Sequence, residues 1–324
     1  MGVLKSWILF AFRTIHVGKC VGEEAELYIA ASPYSFGGFT TSRDRSPFSI
    51  LGVPLDMTSS FRSGYRTAPL SVRLAAQNLE YFSLRFGVDV EDFLYVDEGD
   101  VVLPQDSIVK ALDVVQKVSK GILSSKRIPI FLGGEHTLTV GTVRAAVDVY
   151  GRDLCVLVFD AHADLRVEYG GSRYSHACTV SRVLETLGRD SVYIAGVRAV
   201  SKAEYERLRS DGVKHLTART IRRVGVKQVA SVLHDFLSSC SRVYLSVDMD
   251  VFDPAFAPGV ATPEPEGMFP SEFFDIFHEI VNKKFIALDI TEVTPPYDPS
   301  MITSMLAARV ALEFMAGAYA SLHA

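Results

Sequence analysis

Three short clusters in the chain carry side chains of one chemical kind. Asp160, His162 and Asp164 alternate at the end of the apolar run VLVFDAHAD, His136 follows two glycines in FLGGEH, and Asp248 and Asp250 close LSVDMD. Together they offer carboxylates and imidazoles but no thiolate. That donor set suits Mn²⁺ or Mg²⁺, and with less force Zn²⁺ or Fe²⁺. It exceeds what one tetrahedral zinc needs and matches two metals that share carboxylates. In extended backbone, residues i, i+2 and i+4 point the same way, so each cluster could aim at one spot. Four aspartates set against two dications and a hydroxide leave the loaded site at about −1, which favours a cationic substrate. Paired metals bring the pKa of bound water from 15.7 towards roughly 7. The chemistry expected is metal-assisted hydrolysis of a cation. His176, twelve residues past Asp164, is a further candidate.

Taken singly, each cluster has an ordinary explanation. An Asp-X-Asp is commonly a solvated loop, Asp253-Pro254 is a turn signal, and His136 could simply open a helix. What argues for one site is position. Apolar runs at 48–53, 93–96, 128–133, 154–160, 191–197, 242–248 and 285–290 alternate with helical patterns at 105–123, 137–150, 201–210, 225–239 and 271–282. A last helix follows, with Ser300 near its N-cap. Continuous apolar strands separated by helices mean βαβ units and a parallel sheet covered on both faces. Such sheets bind ligands beyond the carboxyl ends of their strands. Four runs here end in polar clusters: FLGGEH, VFDAHADL, LSVDMDVFDP and LDITEV. His215, His234, His278 and His323 have no such setting and read as surface or packing residues.

The bulk composition bounds the rest. The chain has 324 residues, 48% hydrophobic and 22% charged, enough for a sizeable core. A net charge of −5 with scattered Lys and Arg argues against a nucleic-acid partner. Cys20, Cys155, Cys178 and Cys240 form no CxxC pair and read as free thiols in a reducing compartment, with Cys155 a small buried side chain. Residues 1–22 read as an N-terminal extension whose apolar run is too short to span a membrane. Residues 23–324 read as one domain, because no Gly/Ser/Pro linker divides them.

The motifs GGEHT, DAHAD and SVDMDVFDP resemble the three signatures of the ureohydrolases, the arginase and agmatinase family. LDITEVTPPYDPS resembles the family's glutamate-bearing segment, and GVPLDMTSSFRSGYRTAP its first strand and loop. The resemblance runs from about residue 24 to 320 in the family's order. It implies an α/β fold, three-layer αβα around a mainly parallel sheet of about eight strands, and two Mn²⁺ per subunit. His136, Asp160, Asp164 and Asp248 match the ligands of one metal. Asp160, His162, Asp248 and Asp250 match those of the other, so Asp160 and Asp248 would bridge. His176 matches the histidine that carries a proton to the leaving amine, and Glu292 the carboxylate that pairs with the guanidinium. The implied reaction is hydrolysis of a guanidinium group to urea and an amine. The resemblance also implies a cytoplasmic homo-oligomer, trimer or hexamer, with no membrane or nucleic-acid partner.

The loop LRVEYGGSRYSHA lacks the Asn/Thr/Ser run with which arginases bind the α-carboxylate, and is similar to archaeal and bacterial agmatinases. Agmatine, giving putrescine and urea in polyamine biosynthesis, is the first choice, with N1-aminopropylagmatine a close rival. Glu168 is a candidate for the substrate's distant amine. Guanidinobutyrate or formiminoglutamate, which carry a carboxylate, would need a basic residue such as Arg166 or Arg173, and arginine is a further alternative. A non-catalytic regulatory paralogue would have lost ligands, His176 or Glu292, and none is missing. The chain departs from the family at Val167 and at Val260-Ala261, while Glu135 is a common variant beside His136 and not a ligand. The metal-ligand positions are untouched.

Overall fold

The computed structural model describes residues 23–38, 46–92 and 95–323. The N-terminal extension at 1–22, Cys20 and the first two residues of the run at 93–96 lie outside the described residues.

In chain order the strands are β1 (Ile29–Ala30), β2 (Phe48–Val53), β3 (Phe82–Ser83), β4 (Val88–Asp89), β5 (Tyr95–Val101), β6 (Ile128–Gly133), β7 (Cys155–Phe159), β8 (Val192–Val197), β9 (Lys214–Thr217), β10 (Val243–Asp248) and β11 (Phe285–Thr291). The helices are α1 (Glu23–Glu26), α2 (Ala68–Ala76), α3 (Ile108–Ser124), α4 (Leu138–Tyr150), α5 (Thr179–Leu187), α6 (Lys202–Ser210), α7 (Ala218–Val224), α8 (Val226–Ser238), α9 (Pro270–Ile280) and α10 (Ile302–His323). Nine strands form one sheet in the order β1-β5-β2-β6-β11-β10-β7-β8-β9, while β3 and β4 pair separately. Every neighbour in the large sheet is parallel except the two-residue β1, which adds antiparallel to β5.

Each central strand is buried on both faces, and its side chains divide between two cores. Leu157 and Phe159 of β7 pack with residues of α2, α8, α9 and α10. Val156 and Val158 pack with residues of α3, α4 and α5. The αβα layering therefore follows from period-two alternation in runs that are apolar throughout. Helix α10 lies in the first core, packed against α2 and β11.

Two expectations are corrected. Cys155 and Cys240 are not free thiols: they form a disulfide, and Cys178 is the free cysteine among the described residues. Cys155 opens β7 and pairs in register with Val243 of the adjacent β10, three residues beyond Cys240. The pair is 85 residues apart in sequence, so only the strand order brings it together. Ser300 does not cap α10. The carboxylate of Asp298 accepts from the backbone N–H of Thr303 and Ser304 and from the Ser304 hydroxyl.

Candidate active site

β6, β11, β10 and β7 are consecutive in the sheet, so the four polar clusters emerge side by side at its carboxyl edge. Val247 of β10 pairs with Phe159 of β7, which places Asp248 beside Asp160 one residue later. Beyond that point the backbone is not extended, and strand alternation does not gather the donors. Asp160 Oδ1 accepts from the N–H of His162 at 2.6 Å, and Asp248 Oδ1 from the N–H of Asp250 at 2.9 Å. Each aspartate thus turns its own chain with one oxygen and leaves the other facing the cluster. Asp250 lies in a 3-10 turn, Met249–Val251. Asp164 and Glu292 sit at φ 50° and 67°, a costly region for residues other than glycine and one that clusters at functional sites. Gly134 is required by close approach, since a Cβ there would lie 2.0 Å from the carbonyl oxygen of Leu55.

The donors converge. His136 Nδ1 lies 3.2 Å from Asp160 Oδ2, 3.0 Å from Asp164 Oδ2 and 3.4 Å from Asp248 Oδ2. His162 Nδ1 lies 2.9 Å from Asp250 Oδ2 and 3.6 Å from Asp160 Oδ1. Two groups could each hold a metal ion, His136–Asp160–Asp164 and Asp160–His162–Asp250, and Asp160 belongs to both. His136 Nδ1, Asp160 Oδ2 and Glu292 Oε2 are buried without hydrogen-bond partners. Buried polar atoms are otherwise almost always satisfied, so orphaned donor atoms of this kind fit a cation between them.

The surroundings fix the His136 tautomer. Its Nε2 faces Ser246 Oγ at 3.1 Å, and Ser246 donates its own proton to Asp289 Oδ1. Ser246 can then only accept, so in the neutral ring Nε2 carries the proton and Nδ1 is the nitrogen left for coordination. Tyr244 and Thr139 hold the other oxygen of Asp289 at 2.7 Å each.

Crowded charge shifts the titrations. Burial would lower the His162 imidazolium, but Asp250 and Asp160 outweigh it and push its pKa up to about 12. Burial and then the Asp160 charge raise Asp164 to about 6. Burial and the charges of Asp250 and Asp160 raise Asp248 well above the carboxylate range. For Asp160, burial is outweighed by the two histidines, which hold it low. Burial lifts Glu292 to about 7, against the lowering influence of the nearby Tyr65 hydroxyl and of the His136 N–H.

A cavity of about 470 Å³ opens over this cluster, and His176, Glu292 and every metal-ligand candidate except Asp160 line it. His176 is half-buried, and burial lowers its pKa. Glu168 and Val167 are exposed on the loop and are not among the lining residues. Two acids missed in the sequence line the cavity instead. Glu204 is committed to capping α6, through the N–H and hydroxyl of Ser201. Glu264 gives its backbone carbonyl to Arg198 at 2.8 Å, while its carboxylate has no hydrogen bond or ion pair among the described residues. The cationic side chains nearby are engaged. Arg198 donates to the carbonyls of Asp250, Phe252 and Glu264. Arg166 lies 3.5 Å from Glu204 and over the Tyr169 ring, and Arg173 pairs with Glu185.

A family model described as the Arginase family matches residues 46–317. An agmatinase of Halalkalibacterium halodurans is 33% identical over 88% of this chain and 97% of its own. An N(1)-aminopropylagmatine ureohydrolase of Thermococcus kodakarensis is 33% identical over 81% of this chain and 88% of its own. The crystal structure of an agmatine ureohydrolase of Thermoplasma volcanium superposes with a TM-score of 0.80 at 35% identity, covering 87% of this chain and 93% of that one.

Proposed function

The chain belongs to the arginase family and is an agmatinase-like ureohydrolase, and from that premise we propose that residues 23–324 form one domain that hydrolyses agmatine to putrescine and urea with two Mn²⁺. The observation that carries this reading is the pair of His/Asp groups sharing Asp160, with orphaned donor atoms on His136 and Asp160. His136, Asp160, Asp164 and Asp248 would hold one metal, and Asp160, His162, Asp248 and Asp250 the other. Held there, the metals would supply an activated water at neutral pH.

The chain's own groups do the rest. Glu292 Oε1 is fixed by the N–H of His136 at 2.7 Å, while its buried Oε2 has no partner. A guanidinium would satisfy that oxygen and keep the carboxylate ionised, and the contact would hold the poorly electrophilic carbon in place. His176, in the cavity wall, protonates the leaving amine.

Agmatine is favoured over carboxylate-bearing substrates because Arg198 is held by backbone carbonyls, Arg166 lies beside the Glu204 carboxylate, and Arg173 is turned to Glu185. Glu264 offers the distal amine a partner, the role considered above for Glu168. N1-aminopropylagmatine presents a similar cation to the same wall and is the second reading. A cytoplasmic homo-oligomer, trimer or hexamer, belongs to this proposal and is checked by light scattering and cell fractionation. The deciding experiment is urea release from arginine, agmatine, aminopropylagmatine and guanidinobutyrate with Mn²⁺. Agmatine should lead, and preferred turnover of arginine or guanidinobutyrate overturns the assignment.

A further inference from the structure

The loop after β2 brings two hydroxyls to the two ring nitrogens of His176. Thr58 Oγ1 lies 3.3 Å from Nδ1, and Ser60 Oγ lies 3.2 Å from Nε2. Thr58 is held in turn by Glu135, whose Oε2 accepts from the Thr58 N–H at 2.8 Å and from its hydroxyl at 3.0 Å. Glu135 Oε1 accepts from the N–H of Met57.

The proton count is then determined. A threonine hydroxyl has one proton to give, and it goes to Glu135, whose two oxygens also accept the backbone N–H of Met57 and Thr58. Towards His176, Thr58 Oγ1 can only accept. It does so twice, from the His176 backbone N–H at 3.0 Å and from the ring. In the neutral imidazole the ring proton must therefore sit on Nδ1. Nε2 is left as the basic atom, beside a Ser60 hydroxyl that lines the cavity.

We propose that Thr58 is a positioning residue that fixes His176 as the Nδ1–H tautomer, so that Nε2 is the atom that exchanges the proton and Ser60 is its neighbour on the cavity side. The inference rests on the reading of His176 as the proton carrier and adds which nitrogen acts and what selects it. The proton moves between Nε2 and the leaving nitrogen. Nδ1 keeps its own proton throughout, and no further reactant is needed.

The test has three arms, run at pH 8.5, where an ordinary imidazole is neutral. In the first, ¹⁵N-histidine NMR reads the His176 tautomer in wild-type protein as purified and after loading with diamagnetic Mg²⁺. A protonated Nδ1 is expected, and a protonated Nε2 overturns the proposal. In the second, Thr58→Val with Mn²⁺ should lower kcat on the order of 10²-fold with KM little changed, and Thr58→Ser should restore it. Unchanged kcat in Thr58→Val, or a loss that Thr58→Ser does not restore, overturns it. If Thr58→Val does not fold, the wild-type spectrum decides. In the third, His176→Asn separates the two failures. Wild-type turnover there removes the proton role of His176 itself, and this inference with it. A slow His176→Asn beside a fast Thr58→Val removes this inference alone.

Discussion

His162 Nδ1 stands 2.9 Å from Oδ2 of Asp250, and that nitrogen cannot hold a metal until it gives up its proton. With that neighbour and Asp160, His162 titrates at about 12 against an ordinary value near 6.5. Its contribution to the metal-free fold is therefore complete below about pH 6.5 and lost as pH rises towards 12. Asp164, raised to about 6, acts in the same direction. Its folded form keeps a proton that the unfolded chain has lost, so stability falls between about pH 4 and 6. Metal-free protein should thus melt lower at pH 8.5 than at pH 6. Mn²⁺ affinity should rise with pH, by up to about tenfold per unit for each proton displaced. Melting curves with and without Mn²⁺ check both signs, and a Mn²⁺-induced shift that shrinks with rising pH contradicts the assignment.

Asp248→Asn separates function from folding. Asp248 is buried beside Asp160 and Asp250, and its charge is unfavourable there without a metal. The amide relieves that repulsion and keeps the shape, so the metal-free variant should melt no lower than wild type. It should lose the Mn²⁺-induced shift, and urea release should fall by more than about 100-fold, beyond the loss typical of outer-sphere partners. Asp160→Asn should likewise lose the Mn²⁺-induced shift and urea release, but it should melt lower without metal, because against burial His136 and His162 favour the Asp160 charge. Wild-type urea release from either variant after manganese reconstitution would exclude the metal roles given to these aspartates.

The Cys155–Cys240 bridge closes a loop of 85 residues, for which the chain-entropy account gives roughly 4–5 kcal/mol. Replacing both cysteines by alanine should lower Tm on the order of 10 °C. Turnover should hold, because Cys155 begins the strand whose far end leads to Asp160, ~15 Å away. In denaturant, Cys155 and Cys240 should resist a thiol reagent until reductant is added. Full reactivity of both before reduction would show that the bridge does not form.

The legible features of the sequence were those written locally. Strand and helix alternation, the six donor positions and their place at strand ends follow from periodicity and spacing. The resemblance carried Glu292 and His176, and both line the cavity. What was hidden depends on which strands are neighbours. The disulfide needs β7 beside β10, and the exclusion of Arg166, Arg173 and Arg198 needs their partners Glu204, Glu185 and the carbonyls at 250–264. Thr58 and Ser60 lie within a quoted motif, yet nothing local says that a loop near residue 60 meets a histidine at 176. Asp160, His162 and Asp164 do come together, though not through the strand alternation that their spacing suggests. They converge because Asp160 turns its own backbone, with Asp164 left-handed, and not because a strand continues.

Specificity at the far end of the substrate turns on Glu264. It lies in the cavity wall, held through its carbonyl by Arg198, and its carboxylate is unengaged among the described residues. Glu168 points from an exposed part of the loop outside that wall. A half-exposed carboxylate–ammonium pair contributes about 0.5–1 kcal/mol, so Glu264→Gln should raise KM for agmatine about 2–5-fold. The amine is remote from the bond that breaks and is held equally before and during reaction, so kcat should change little. The effect should weaken in high salt, because an exposed pair is screened. Glu168→Gln should leave KM unchanged. If Glu168→Gln raises KM and Glu264→Gln does not, the loop after Asp164 selects the substrate, and the 262–266 segment serves only to close the cavity.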